Sequence, residues 1–137
     1  MDCIFCRIVA GEIPSHKVYE DDATLAFLDI NPASRGHALV IPKAHAADLH
    51  GLSEDDLAAT ARTVQRVAKM LQRGVKPEGI NILQNNGAAA GQVVFHYHVH
   101  LIPRWPGDRA LSMWKPGATD HAAFAELASR LRSGEGA

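Results

Sequence analysis

Phe95-His96-Tyr97-His98-Val99-His100-Leu101-Ile102-Pro103 is the stretch on which the reading of this chain turns. Its residues alternate in character, the mark of a β-strand that buries one face. We expect a strand over 95–102, ended by Pro103. In that register His96, His98 and His100 project together, roughly 6–7 Å apart. Phe95, Tyr97, Val99 and Leu101 point the other way, into a core. The chain has 8 histidines, and these three lie within five residues. Histidine is not a favoured strand residue, and three stacked imidazoles repel once protonated, so a merely solvated face explains the pattern poorly. A metal cluster and metal-free imidazole chemistry are the two readings left.

Just upstream, Asn85 to Gln92 is rich in Gly and Ala. Exposed backbone N–H groups in such a loop can cradle an anion; the bland alternative is a hairpin connection. Ile80–Gln84 reads as a strand before it. Further out, Leu57, Ala61, Val64, Ala68 and Leu71 form an apolar stripe on a helix running from Ser53 to about Arg73. Ser53 is its N-cap with Asp56 three residues on, and Gly74 its stop. Lys17–Tyr19, Thr24–Leu28 and His37–Ile41 (closed by Pro42) read as strands, and Cys3–Val9 as a helical turn stopped by Gly11 and Pro14. A second helix spans about 120–132, with Phe124, Leu127 and Leu131 on one side. Short strands joined by tight turns, with two separated helices, give an α+β domain around an antiparallel sheet of about five strands.

The 137 residues suit one domain over 1–137. With 47% hydrophobic and 21% charged residues the composition is globular. The charge, 14 − 15 = −1, argues against a nucleic-acid polymer as partner, which needs a basic face. No apolar run reaches the roughly 18–20 residues of a membrane helix, so no membrane partner is expected. Met1-Asp2-Cys3-Ile4 lacks the features of a signal peptide, and a cytoplasmic location is expected. Two cysteines cannot build a disulfide framework. Their Cys3-x-x-Cys6 spacing points to a metal or a redox pair, although no thioredoxin-like βαβ pattern surrounds it. A tetrahedral zinc would need two further ligands, of which histidine is the natural choice; reduced, buried cysteines are the alternative. His16 and His121 show no pattern and are expected at the surface.

The stretch Gly91 to Pro103 resembles the signature of the histidine-triad (HIT) nucleotide-binding proteins. Cys3-Ile4-Phe5-Cys6-Arg7-Ile8, Leu25–Ile30 and Gly36–His45 also match in order and spacing, so the resemblance covers about residues 3–104. The tail after Trp105 carries no sharp motif. The resemblance implies a homodimer with sheets joined across the interface. It also implies binding of a purine nucleoside monophosphate and cleavage of a bond at its α-phosphorus. His98 would be the nucleophile and form a nucleotidyl-histidine, with His100 and His37 as its helpers. Neutral imidazole suits the task at neutral pH. Asp29 matches the ribose carboxylate; its alternative is a turn before Asn31-Pro32. Ile4, Phe5, Ile8, Phe27 and Ile30 match the base pocket, against plain core packing. Asn85, Gly91, Gln92 and Val93 match the phosphate side. Val93 departs from the usual Ser or Thr, and valine donates no proton, which leaves that task to His100 or makes turnover slower. Asn85 favours phosphoramidate hydrolases over dinucleoside polyphosphate hydrolases, which typically carry Gln.

Resemblance to bacterial members and to galactose-1-phosphate uridylyltransferase further implies one structural zinc on Cys3, Cys6, His45 and His96, with His50 the alternative to His45. No catalytic metal is expected. The leading expectation is hydrolysis of a nucleoside phosphoramidate. Its rivals are a diadenosine polyphosphate hydrolase, a zinc enzyme whose three histidines hold an open-sited metal, and a nucleotide-sensing module with little turnover.

Overall fold

The computed structural model describes residues 2–134. Met1 and residues 135–137, which the 1–137 domain takes in, lie outside the described residues. Five strands, β1 (Lys17–Glu20), β2 (Thr24–Leu28), β3 (Ala38–Pro42), β4 (Gly79–Leu83) and β5 (Val99–Arg104), form one antiparallel sheet in the order β1-β2-β3-β5-β4. Three helices, α1 (Ile4–Val9), α2 (Glu54–Gly74) and α3 (His121–Ser133), complete the α+β fold. No helix among the described residues is long and apolar enough to cross a membrane.

The period of two in β2 and β3 sends alternate residues to two separate cores. Leu25, Phe27, Leu39 and Ile41 pack with Cys3, Phe5 and Ile8 of the N-terminal segment on one face. Ala26, Ala38, Val40 and Leu101 pack with Val67 and Leu71 of α2 on the other. Covering on both faces explains why β3 is buried along its whole length. His100 pairs with Leu39, so it faces the α1 side.

The deciding stretch departs from its expected strand. β5 begins at Val99, not Phe95, and residues 96–98 stand outside the ladder. Tyr97 N–H bonds to Ala46 O at 2.7 Å, tying this segment to the loop after β3 instead of to a neighbouring strand. Tyr97, Val99 and Leu101 are buried as expected, but Phe95 is 49% exposed. Nor does Pro103 end the strand, which runs to Arg104 with Pro103 opposite Ile80. The pairing of β3 with β5 covers only Val99–Leu101, and Pro103 O accepts from Ser34 Oγ at 2.7 Å. The missing N–H of Pro103 therefore faces the side where no strand requires it.

Ser53 caps α2 as expected: its Oγ accepts from Asp56 N–H at 3.1 Å and donates to Asp56 Oδ2 at 3.0 Å. The buried stripe differs in part. Of the expected stripe Leu71 is buried and Val64 and Ala68 pack half-buried against the core, Leu57 and Ala61 are exposed, and Thr60, Thr63 and Val67 complete the face toward the sheet. The threonines enter the core because their hydroxyls are paired, Thr60 with Asp56 O and Thr63 with Thr24, both at 2.7 Å. Gly74 is helical; the chain turns at Val75 and Lys76, the latter at φ 51. Gly36 (φ +88) passes so close to α2 and β5 that a Cβ would lie 3.3 Å from Leu71 and Pro103. α3 lies where the second helix is expected and is capped by Asp120, but it buries no residue, and Phe124, Leu127 and Leu131 are more than half exposed.

Candidate functional site

The histidines divide into two groups. His96 is fully buried and faces Cys3, Cys6 and His45. Cys3 is the N-cap of α1, and its Sγ accepts from Cys6 N–H at 3.3 Å, so the first helical turn presents both sulfurs together. His96 Nδ1 lies 3.4 Å from Cys3 Sγ, 3.5 Å from Cys6 Sγ and 3.2 Å from His45 Nδ1; Cys6 Sγ lies 3.4 Å from His45 Nδ1. Zinc bonds of about 2.3 Å to sulfur and about 2.05 Å to nitrogen, at tetrahedral angles, give edges of about 3.5 Å (S–N) and about 3.3 Å (N–N). The donor spacing thus matches a tetrahedral zinc site. His96 Nε2–H donates to Pro42 O at 2.8 Å, which leaves the Nδ1 lone pair for the metal, the usual outer-shell arrangement. Burial pushes the Cys6 thiol up in the metal-free chain, a cost that metal coordination removes. His50 sits in a separate 3₁₀ turn (Leu49–Gly51) and is not among these donors.

On the α1 face, His98 and His100 line a cavity of about 380 Å³ together with Ile4, Phe5, Ile8, Phe27, Asp29, Ile30, Gly91 and Val93. The sequence reading missed Ile13, Pro14, Ser15, Leu28, Asn31, Leu39 and Val94, which also line it. Leu28, Leu39 and Val94 lie within the matched motifs and could have been found there; the others carry no residue-level signal. His98 Nδ1–H donates to His96 O at 2.7 Å, and Phe5 stands edge-on to its ring at 5.2 Å. These contacts fix the tautomer: the proton is on Nδ1, and Nε2 keeps its lone pair.

The remaining protons follow from one backbone group. Ala33 N–H donates to His37 Nδ1 at 2.9 Å, so a neutral His37 carries its proton on Nε2. That nitrogen lies 3.0 Å from His100 Nδ1 and 3.5 Å from Asp29 Oδ2. His37 therefore donates to His100 Nδ1, and His100 keeps its proton on Nε2. Burial holds all three imidazoles below the ordinary histidine range, and His100, with His98 and His37 beside it, is lowered to about 4. At neutral pH the group therefore offers one free lone pair and one N–H donor. The same tautomers disfavour a metal on Asp29, His37 and His100, whose donor atoms also cluster: with Nδ1 taken by Ala33 N–H, His37 could ligate through Nε2 only as an imidazolate.

Asp29 also accepts from Asn31 N–H through Oδ1 at 2.8 Å. The expected loop holds a short 3₁₀ turn at Ala88–Ala90, between Gly87 (φ 90) and Gly91 (φ 95). Gln92 and Asn85 are not on the cavity wall. Gln92 is buried and its amide is already committed: Oε1 accepts from Gly87 N–H at 2.8 Å, and Nε2 donates to Ala47 O at 2.6 Å and Val94 O at 3.1 Å. It shapes the loop from behind. Val93, 84% exposed, stands at the cavity mouth.

Residues 10–107 match the family model described as HIT domain. Over 104 residues the chain is 52% identical to a Schizosaccharomyces pombe protein named adenosine 5'-monophosphoramidase hnt1, covering 76% of this chain and 75% of that one. It is 47% identical to adenylylsulfatase HINT3 of Arabidopsis thaliana, over 75% of this chain and 52% of that one. A HIT-family crystal structure from Bacillus subtilis superposes with TM-score 0.92 at 40% identity, over 97% of this chain and 96% of that one. A zinc-bound histidine triad family protein from Mycobacterium smegmatis superposes with TM-score 0.77 at 41% identity, over 94% and 97%.

Proposed function

The chain belongs to the HIT family and is a nucleotide hydrolase of that family, and on that premise we propose that it hydrolyses purine nucleoside 5′-phosphoramidates through a nucleotidyl-histidine on His98. The observation that carries this reading is the fixed tautomer of His98, whose Nε2 lone pair stands at an apolar cavity beside a carboxylate. The base would lie among Ile4, Phe5, Ile8, Phe27 and Ile30, and the ribose diol against Asp29. The phosphate would lie between Gly91 and the histidine pair.

His98 Nε2 attacks the α-phosphorus and the P–N bond to the amine breaks. His100 Nε2–H delivers the proton that the leaving amine needs, while His37 Nε2–H holds His100 Nδ1 as an acceptor; in the second step the attacking water gives a proton back to His100 Nε2. Water then attacks the phosphorus of the nucleotidyl-histidine, AMP leaves, and His98 regains its neutral form. Because Val93 supplies no hydroxyl, His100 is the sole acid in this scheme. A leaving group that needs no proton, such as the sulfate of adenylyl sulfate, is then a natural second substrate; a relative's name also points to it.

Cys3, Cys6, His45 and His96 would hold one zinc per chain with no free position. When bound, it anchors α1 to the sheet, and through His96 O it steadies the group that orients His98. Free thiols suited to zinc favour a reducing, cytoplasmic setting. β4 is an open sheet edge with Ile82 half-exposed. Beside it, Ala61 and Val64 of α2 help line an apolar groove. An edge this apolar invites pairing with a second copy, which supports a homodimer.

The test is AMP release by chelator-treated protein from adenosine 5′-phosphoramidate and from diadenosine polyphosphates. Preference for the phosphoramidate is expected. Preference for the dinucleotide would move the assignment to the sister activity, and AMP binding with no turnover would make it a sensor.

A further inference from the structure

Ser15 ends the Ile13-Pro14-Ser15 segment that leads from α1 into β1, and it lines the same cavity as His98 and His100. Its Oγ is the one buried side-chain nitrogen or oxygen among the described residues with no hydrogen-bond partner. Native folds rarely leave such a group unpaired, and each exception calls for an explanation.

The cavity supplies one. Five of its wall residues have polar side chains: Ser15, Asp29, Asn31, His98 and His100. His98 and His100 are committed to phosphorus chemistry in the proposed scheme, and Asp29 with Asn31 sits on the loop after β2. Ser15 adjoins the apolar wall at Ile13 and Pro14, and its hydroxyl is the polar group there that nothing else engages. Apolar walls hold a base by area but tell bases apart poorly, whereas a buried hydroxyl rejects a ligand that cannot pair with it.

We propose that Ser15 is a specificity-determining residue whose hydroxyl pairs with the polar edge of the bound purine, an inference that rests on the nucleotide reading above. For this, Oγ must turn from its buried position toward the cavity that Ser15 lines, a change between staggered χ1 wells. The hydroxyl both donates and accepts, so it can serve a ring nitrogen or an exocyclic group.

The test titrates AMP and ribose 5-phosphate into the full chain and into Ser15→Ala, with binding read by NMR and a melting curve of each ligand-free protein. Ribose 5-phosphate keeps the phosphate and diol but has no base. We expect AMP to bind Ser15→Ala roughly three- to tenfold more weakly, the range for one neutral hydrogen bond. Ribose 5-phosphate should bind both proteins alike, and the variant should melt no lower than the parent. Equal AMP affinity in the two proteins overturns the proposal. So does an equal loss for both ligands, which would place the hydroxyl's role in the scaffold or at the sugar. If the parent binds neither ligand, the nucleotide reading itself fails and this inference falls with it.

Discussion

His37→Leu breaks the proton chain at a defined link. His37 is buried and makes two bonds, from Ala33 N–H at 2.9 Å and to His100 Nδ1 at 3.0 Å. Each neutral bond contributes about 0.5–1.5 kcal/mol net, so losing both costs about 1–3 kcal/mol of stability. Urea unfolding should show a lower midpoint with an unchanged slope. The catalytic effect is separate. Without a donor from His37, His100 can carry its proton on Nδ1, and its Nε2 no longer serves as the acid. A bias of about 1.4–2.7 kcal/mol between tautomers corresponds to about 10–100-fold in rate. That loss is expected in kcat for adenosine 5′-phosphoramidate, whose amine must leave protonated. Adenylyl sulfate should slow by less than about threefold, because sulfate leaves without a proton. His37→Gln restores an N–H near the Nε2 position and should recover most of the phosphoramidate rate. Equal losses on both substrates, or a folded Gln variant as slow as Leu, would refute the tautomer chain.

Metal analysis should find one zinc per chain, lost in Cys3→Ala and His45→Ala; melting should fall by more than about 10 °C on its removal, since structural zinc binding is folding free energy. A chain that melts unchanged after complete stripping would exclude the structural role. The acid limb of kcat/KM should lie below 6.5, the ordinary histidine value, because burial holds the nucleophile His98 below that range and keeps its Nε2 lone pair free; a limb centred at 6.5 would contradict the lowered value. The lowering of His100 has a sign for stability. Between about 4 and 6.5 the unfolded chain binds more protons, so this contribution is fully present above pH 6.5 and is lost as pH falls toward about 4. Gln92→Leu removes three hydrogen bonds and should cost about 2–4 kcal/mol in urea unfolding; an unchanged midpoint would show that the loop is held by something else.

What the sequence made legible depends on where period and backbone agree. The side on which His98 and His100 lie was readable, because the two-residue alternation of β5 continues one step before the ladder begins. The place of His96 was not readable by alternation, since the Tyr97 N–H bond to Ala46 O pulls that segment away from the sheet. The motif resemblance nonetheless grouped it with Cys3, Cys6 and His45, and the four donors do converge. In α2, apolarity placed Val64, Ala68 and Leu71 on the core but misled at Leu57 and Ala61, because paired threonines share the facing side and the partner of Thr63 is tertiary. The groups that set the tautomers, Ala33 N–H, His96 O and Pro42 O, belong to the backbone and have no letter in a sequence. Gln92 was assigned to the ligand side by its position in a motif, whereas its amide is spent on the loop's own backbone.

The central claim is that His98 Nε2 becomes bonded to phosphorus. It is tested most directly by mixing the enzyme with adenosine 5′-phosphoramidate, quenching in alkaline denaturant during the first turnover, and weighing the intact chain and its peptides. The account predicts an adenylyl mass increment confined to the peptide carrying His98, absent in His98→Ala along with turnover. His98→Ala releasing AMP at the parent's rate, with no increment on either protein, would contradict it.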